Sequence, residues 1–123
     1  MTPFRGISTD VGTAFEMGFM RALNKKVIGY TNVSELYFER TAAYYESKGK
    51  SLNQITDGKT SYYVDPNEMS VENFDMVDNL MLEGAVLSNH FIVHKLPATV
   101  NTEELFTSID AFESAVKTLS NNN

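Results

Sequence analysis

Thr9-Asp10-Val11-Gly12-Thr13-Ala14-Phe15-Glu16-Met17-Gly18-Phe19 is the stretch whose reading decides the fold. Asp10 stands just before an apolar-periodic run, where its carboxylate can accept from the unpaired N–H groups of a first helical turn and its charge suits the positive end of the helix dipole. A helix is therefore expected from this point. Val11, Ala14, Phe15, Gly18, Ala22 and Leu23 recur at three- and four-residue spacing, which gives one apolar face expected to rest on a core. The run ends near Asn24, with Lys25 and Lys26 at the negative end of the dipole. Glu16 has Gly12, Thr13, Phe19 and Met20 as its neighbours one turn away, and none is a cation. Partial burial of that carboxylate is one expectation, and an ordinary surface glutamate is the other. Gly12, one turn earlier, is read as leaving a gap through which a ligand can approach the helix backbone.

Working outward, Lys26-Val27-Ile28-Gly29-Tyr30-Thr31 is a brief apolar, β-branched run that reads as a strand buried on both faces. Helix then strand is half of a β-α-β unit, whose first strand would lie upstream of Met1. Met1 to Thr9 is a loop, punctuated by Pro3, Gly6 and Ser8. Arg5 in that loop reads either as a ligand contact or as the structural partner of a loop carboxylate. Phe4 reads either as a ring stacked on a ligand or as a plug in the core beneath.

Beyond the strand, Ser34 to Lys48 is expected to be a second helix, capped by Ser34 and stopped by Gly49, with Leu36, Tyr37, Tyr44 and Tyr45 on a partly buried face. Gly49 to Ser61 reads as a mobile surface loop with an Asp57-Gly58 turn, followed by a short extended piece to Val64 that Asp65-Pro66-Asn67 breaks. A third helix is expected from Phe74 to Leu87, apolar on more than one side and so packed on more than one neighbour. Phe91 to His94 is strand-like, Leu105-Phe106 a short final strand, and Thr107 or Ser108 the cap of a last helix from Ile109 to Leu119 with Ile109, Phe112, Val116 and Leu119 on one face. Asn121 to Asn123 is expected to fray. His90 and His94 are the two histidines, and no third ligand accompanies them, so no metal site is expected.

Composition sets the outer bounds. With 123 residues, 42% of them hydrophobic, the chain is long enough for one core and is read as a single domain over residues 1–123. A net charge of −6 without any local cluster of Lys and Arg argues against a nucleic-acid partner. There is no cysteine, hence no disulfide framework and no thiolate nucleophile. No apolar run reaches the length of a membrane span, and Met1 to Gly6 lacks a signal-peptide core, so no membrane association and a cytoplasmic address are expected.

Thr2-Pro3-Phe4-Arg5-Gly6 followed by Asp10-Val11-Gly12-Thr13-Ala14-Phe15-Glu16-Met17-Gly18-Phe19 resembles the catalytic loop and helix of the nucleoside 2-deoxyribosyltransferase family. Members of that family carry Asp, Gly, the nucleophilic Glu and a further Gly at the spacing of Asp10, Gly12, Glu16 and Gly18. The family's Asn-Leu-Met element matches Asn79-Leu80-Met81. The chain departs from the family in opening at the Thr-Pro-Phe-Arg-Gly loop, so that the family's first strand, its glycine-proline turn and its second base-facing carboxylate would lie before Met1. The Phe91 to His94 segment reads as an insertion relative to the family.

The resemblance implies an α/β fold, a flavodoxin-like or Rossmann-like three-layer sandwich with a parallel sheet, represented here by its C-terminal portion. It implies Glu16 as the nucleophile on C1′ of a 2′-deoxyribonucleoside, with a covalent deoxyribosyl ester resolved by a second base. Asp10 and Asn79 would hold the sugar at its 5′-hydroxyl, Met81 would pack on the ligand, and Phe4, Arg5 and Gly12 would border it. No cofactor is implied. The partners implied are deoxyribonucleosides, nucleobases and further copies of the chain, with Asn79 and Met81 contributed to a neighbouring subunit's site. Two other readings accompany this one: a deoxynucleoside 5′-monophosphate N-glycosidase, with Arg5, Ser8 and Thr9 as an anion site at the helix N-terminus, and a truncated, catalytically incompetent subunit.

Overall fold

Asp10 does begin a helix. In a computed structural model that describes residues 1–122, its Oδ2 accepts from the N–H groups of Gly12 and Thr13 at 2.9 and 3.3 Å, and helix α1 spans Val11–Ala22. The chain continues through β1 (Gly29–Thr31), α2 (Tyr37–Glu46), β2 (Asn53–Asp57), β3 (Thr60–Val64), β4 (Ser70–Val71), α3 (Leu80–Leu87), β5 (Val93–Lys95) and α4 (Asp110–Asn121). Asn123, expected to fray, lies outside the described residues.

Two small sheets result. Strands β1 and β5 run parallel, Gly29 opposite Val93 and Tyr30 opposite His94. Successive strand residues point to opposite faces, and here the space above Gly29 is occupied by Val86 of α3, whereas Tyr30 meets the ring of Phe112 of α4 at 5.4 Å. Helices therefore cover both faces of the pair, as an α/β layering requires. The second sheet, β2-β3-β4, is an antiparallel meander, so the strands are mixed rather than all parallel. Helix α2 lies on it through Phe38, whose ring is 4.6 Å from that of Tyr63.

The core sits around Met1, Val27, Val77, Val86 and Phe91. Gly29 is at its tightest point. A Cβ there would lie 2.7 Å from Met1 Sδ, 3.1 Å from Val93 Cγ2 and 3.2 Å from Val86 Cγ2. The methionine tip can swing away, but the two stiff valines cannot. Gly29→Ala is therefore expected to lower stability by roughly 1–3 kcal/mol, measured by urea unfolding; an unchanged midpoint would mean the valines relax freely.

Several elements differ from the sequence expectation. The face of α1 expected to rest on a core is the one left open: Val11 is 82% exposed and Phe15 72%. The helix instead turns Thr13, Met17 and Arg21 inward, and Arg21 Nη1 donates to Asn89 Oδ1 at 2.8 Å beyond the end of α3. Since Thr9 at the start of α1 also bonds Asp78 just before α3, the two helices lie side by side and parallel. The expected mobile loop from Gly49 to Ser61 holds the hairpin of β2 and β3, closed by Gly58-Lys59 with Gly58 at φ +59°. All five residues of β2 are exposed, which removes the alternation that marks a strand.

Helix α2 starts at Tyr37, not after Ser34. Ser34 pairs with Thr99, and the Glu39 carboxylate accepts from Leu36 N–H at 2.7 Å in the capping position. Helix α3 starts at Leu80, not Phe74, because Asn79 Oδ1 accepts from Met81 N–H at 2.8 Å and Glu72 from Leu80 N–H at 2.8 Å, fixing the first turn there. Leu105-Phe106 is a turn rather than a strand; the strand beside β1 comes from Val93–Lys95, within the expected insertion. Neither Thr107 nor Ser108 caps α4, which has Ile109 at its N-cap and buries Ala111 and Ala115, leaving Ile109, Phe112 and Val116 exposed. Among the described residues no helix is long and apolar enough to cross a membrane.

Candidate functional site

The loop from Met1 to Thr9 reaches its position through a carboxylate distant in sequence. Asp78, 1% exposed, accepts from Ser8 Oγ at 2.6 Å, Thr9 N–H at 2.9 Å, Thr9 Oγ1 at 2.8 Å and Asn79 N–H at 2.8 Å. Arg40 of α2 faces it at 3.6 Å and donates also to the carbonyls of Ile7 and Val77, at 2.9 and 2.7 Å. Burial pushes the Arg40 pKa down from its ordinary value while Asp78 opposes the shift. One ion pair thus ties the loop, α2 and the start of α3 together. A charge pair removed from water this far persists because its remaining valences are filled by hydrogen bonds.

The other end of the loop is tied to β1. The Met1 ammonium donates to Tyr30 O at 2.6 Å, and Asn32 N–H donates to Thr2 Oγ1 at 3.0 Å. Burial lowers the pKa of the Met1 amine from 8.0 to about 6, against the pull of Asp78. Between those values the unfolded chain binds this proton more than the folded one, so stability falls as pH drops from 8 to 6 and falls no further below. At ~1.4 kcal/mol per unit, the loss is on the order of 2 kcal/mol. Urea unfolding at pH 8 and pH 6 checks it, and a profile that rises toward pH 6 would contradict it.

Anchored in this way, the loop delivers Asp10 to the N-terminus of α1. Asp10, Thr13 and Glu16 recur at three-residue spacing and so share a face of the helix. Two openings flank that face. One, of about 380 Å³, lies among Phe4, Asp10, Thr13, Tyr30 and Phe106; the other, of about 280 Å³, lies among Thr13, Glu16, Met20 and Val27. Thr13 borders both. Openings of this size fall near the lower end of the range of small-molecule sites.

The expected site residues divide accordingly. Glu16 is exposed rather than partly buried, and makes no ion pair among the described residues. Gly12 is exposed, and a Cβ there would be 2.9 Å from Asp10 Oδ2, so the absent side chain makes room for the capping carboxylate. Phe4 is 42% exposed, meets Phe106 edge-to-face at 5.8 Å and carries the Arg5 guanidinium 5.0 Å over its ring. Arg5, at φ +57°, is thus held against Phe4. Asn79 spends its amide at the start of α3, its Nδ2 donating to Glu72 at 3.0 Å, and Met81 beside it is 77% exposed. Neither borders the two openings beside α1.

The proposed anion site of Arg5, Ser8 and Thr9 does not form. Both hydroxyl protons already go to Asp78. His90, at φ +63° after α3, and His94 on β5 belong to no cluster of three metal-ligating side chains among the described residues. Asp78, Arg40, Asn32 and Phe106 organise the site without having been read from the sequence as site residues. Asp78 stands directly before Asn79, which the structure shows to be the N-cap of α3.

Comparison with known proteins agrees with the motif. A family model described as nucleoside 2-deoxyribosyltransferase matches residues 1–81. An uncharacterized protein of Schizosaccharomyces pombe is 28% identical over 123 aligned residues, which cover 97% of this chain and 54% of that protein. The chain thus spans about half the length of that relative. No solved structure matches significantly.

Proposed function

Because the chain belongs to the nucleoside 2-deoxyribosyltransferase family, we propose that it transfers 2-deoxyribose between nucleobases, in the salvage of nucleosides, with Glu16 as nucleophile. A carboxylate oxygen of Glu16 bonds to C1′ as the N-glycosidic bond breaks, and the departing base keeps the bonding electron pair and takes up a proton. A nitrogen of the second base then bonds to C1′, the ester C–O bond breaks, Glu16 is regenerated as a carboxylate and the incoming base gives up a proton. The cycle is proton-neutral. Its transition states are oxocarbenium-like, so a carboxylate adjacent to C1′ stabilises the charge before it bonds.

The observation that carries the reading is the shared face of Asp10, Thr13 and Glu16 beside two openings that Thr13 borders. Asp10 would accept from the sugar's 5′-hydroxyl, and Phe4, Arg5 and Gly12 would shape the rim. Asn79 and Met81 lie away from those openings in their own subunit, which is what a contribution to a neighbour's site would require. The exposed side chains of Val11, Phe15 and Met81 supply apolar surface for such an oligomer. The address proposed is cytoplasmic.

Incubating the protein with deoxyadenosine and cytosine tests this directly. Deoxycytidine and adenine should appear together, in equal amounts. Release of adenine without deoxycytidine would indicate hydrolysis, and release of neither would leave the incompetent-subunit reading. The hydrolase reading for 5′-monophosphates is disfavoured by the commitment of Ser8 and Thr9 to Asp78.

A further inference from the structure

Asn32 follows β1 directly and is 3% exposed, yet its side chain serves the far end of the chain. Its Nδ2 donates to the carbonyls of Leu105 and Ser108 at 3.0 and 2.9 Å, while its backbone N–H donates to Thr2 Oγ1. One buried residue therefore touches two walls of the same opening: its backbone N–H holds the loop that carries Phe4 and Asp10, and its side-chain amide holds the turn that carries Phe106. Phe106 is 59% exposed in a turn that two hydrogen bonds from Asn32 tie to the end of β1. Phe4, the ring expected to meet a ligand, already has Arg5 over it and Phe106 against it at an interplanar angle of 84°. Of the two phenylalanines that line the opening, Phe106 is the more exposed, 59% against 42% for Phe4.

We infer that Phe106 is the ring against which the nucleobase lies, and that Asn32 is the positioning residue that holds it there. This rests on the reading that the opening beside Asp10 takes a deoxyribonucleoside. A planar heterocycle stacks on an aromatic face with little regard to its hydrogen-bonding edge, so such a wall admits purines and pyrimidines alike, as a transfer between bases demands. Tyr30 bounds the opening on the strand side, Asp10 receives the sugar at the helix N-terminus, and the base fills the space left toward Phe106. Stacking on one aromatic ring corresponds to roughly 1–3 kcal/mol per base, which is about a 5- to 150-fold change in affinity.

The test uses the full chain and its Phe106→Ala, Phe106→Tyr and Asn32→Ala variants, each checked for folding by circular dichroism. Two readouts are taken: KM and kcat for exchange between deoxyadenosine and cytosine, and saturation-transfer NMR from protein to the base protons of deoxyadenosine. Phe106→Ala should raise KM at least about 5-fold with kcat little changed and lose saturation transfer, Phe106→Tyr should restore both, and Asn32→Ala should follow Phe106→Ala in KM. Unchanged KM and saturation transfer in Phe106→Ala, with exchange intact, would overturn the inference while leaving the transferase reading standing. Saturation transfer that is lost in Phe106→Ala and regained in Phe106→Tyr, in a protein without exchange activity, would uphold the stacking wall and sink the transferase reading. A wild-type chain that shows no saturation transfer overturns the inference.

Discussion

Asp78→Ala is expected to lower the stability of the fold by about 3–5 kcal/mol, as breaking one partner of a buried ion pair does. The substitution leaves the Arg40 cation, whose side chain is 10% exposed, without its counter-charge. It also strips an acceptor from Ser8 Oγ, Thr9 N–H, Thr9 Oγ1 and Asn79 N–H at once. A domain of this size is stable by roughly 5–15 kcal/mol, so the loss takes a large share of the total. The loop that delivers Asp10 should loosen first, since two of its residues hang on this carboxylate. Asp78→Asn keeps the shape and part of the accepting capacity and should fall between. Urea unfolding monitored by circular dichroism measures both variants, and a loss under about 1 kcal/mol for Asp78→Ala would show that the clamp is dispensable.

The second large effect concerns activity rather than stability. Glu16→Ala is expected to reduce base exchange by on the order of 10³-fold or more, the scale on which removing a covalent nucleophile acts. Glu16 is exposed and makes no ion pair among the described residues, so its replacement by a good helix former should leave the unfolding midpoint within about 0.5 kcal/mol. That separation is what makes the variant informative. Retained exchange would move the chemistry to another group, and a collapse of stability would reassign Glu16 to the fold.

How much of this could be read in the sequence varied with the range of the interactions involved. Helix α1 was legible because its start depends on Asp10 and on N–H groups two and three residues away. Its buried face was not, because periodicity identifies apolar positions without saying what covers them, and α3 packs instead against the side holding Thr13, Met17 and Arg21. The hairpin of β2 and β3 escaped because its first strand is exposed on both faces. Helix α3 reads too long in the sequence because Phe74, Met76 and Val77 extend an apolar pattern backward across Asp78 and Asn79, where the cap stops it.

The candidate site follows the same division. Asp10, Thr13 and Glu16 share a face by local spacing alone, which a sequence shows directly. Asp78 and Arg40 meet only after α2 and the start of α3 have packed, and no local pattern announces that meeting. Leu105 and Phe106 read as a strand because two large apolar side chains stand between polar ones; the hydrogen bonds that hold this turn come from Asn32, far away in sequence.

The proposed transfer requires a bond between Glu16 and a sugar carbon. Mass spectrometry of the protein incubated with a 2′-fluorinated deoxynucleoside, which slows departure of the sugar from the ester, is the most direct measurement of it. One added fluorodeoxyribosyl group per chain is expected, located on the peptide that contains Glu16 and absent from Glu16→Ala. An unmodified protein that nonetheless exchanges bases, or an adduct on any other residue, would contradict it.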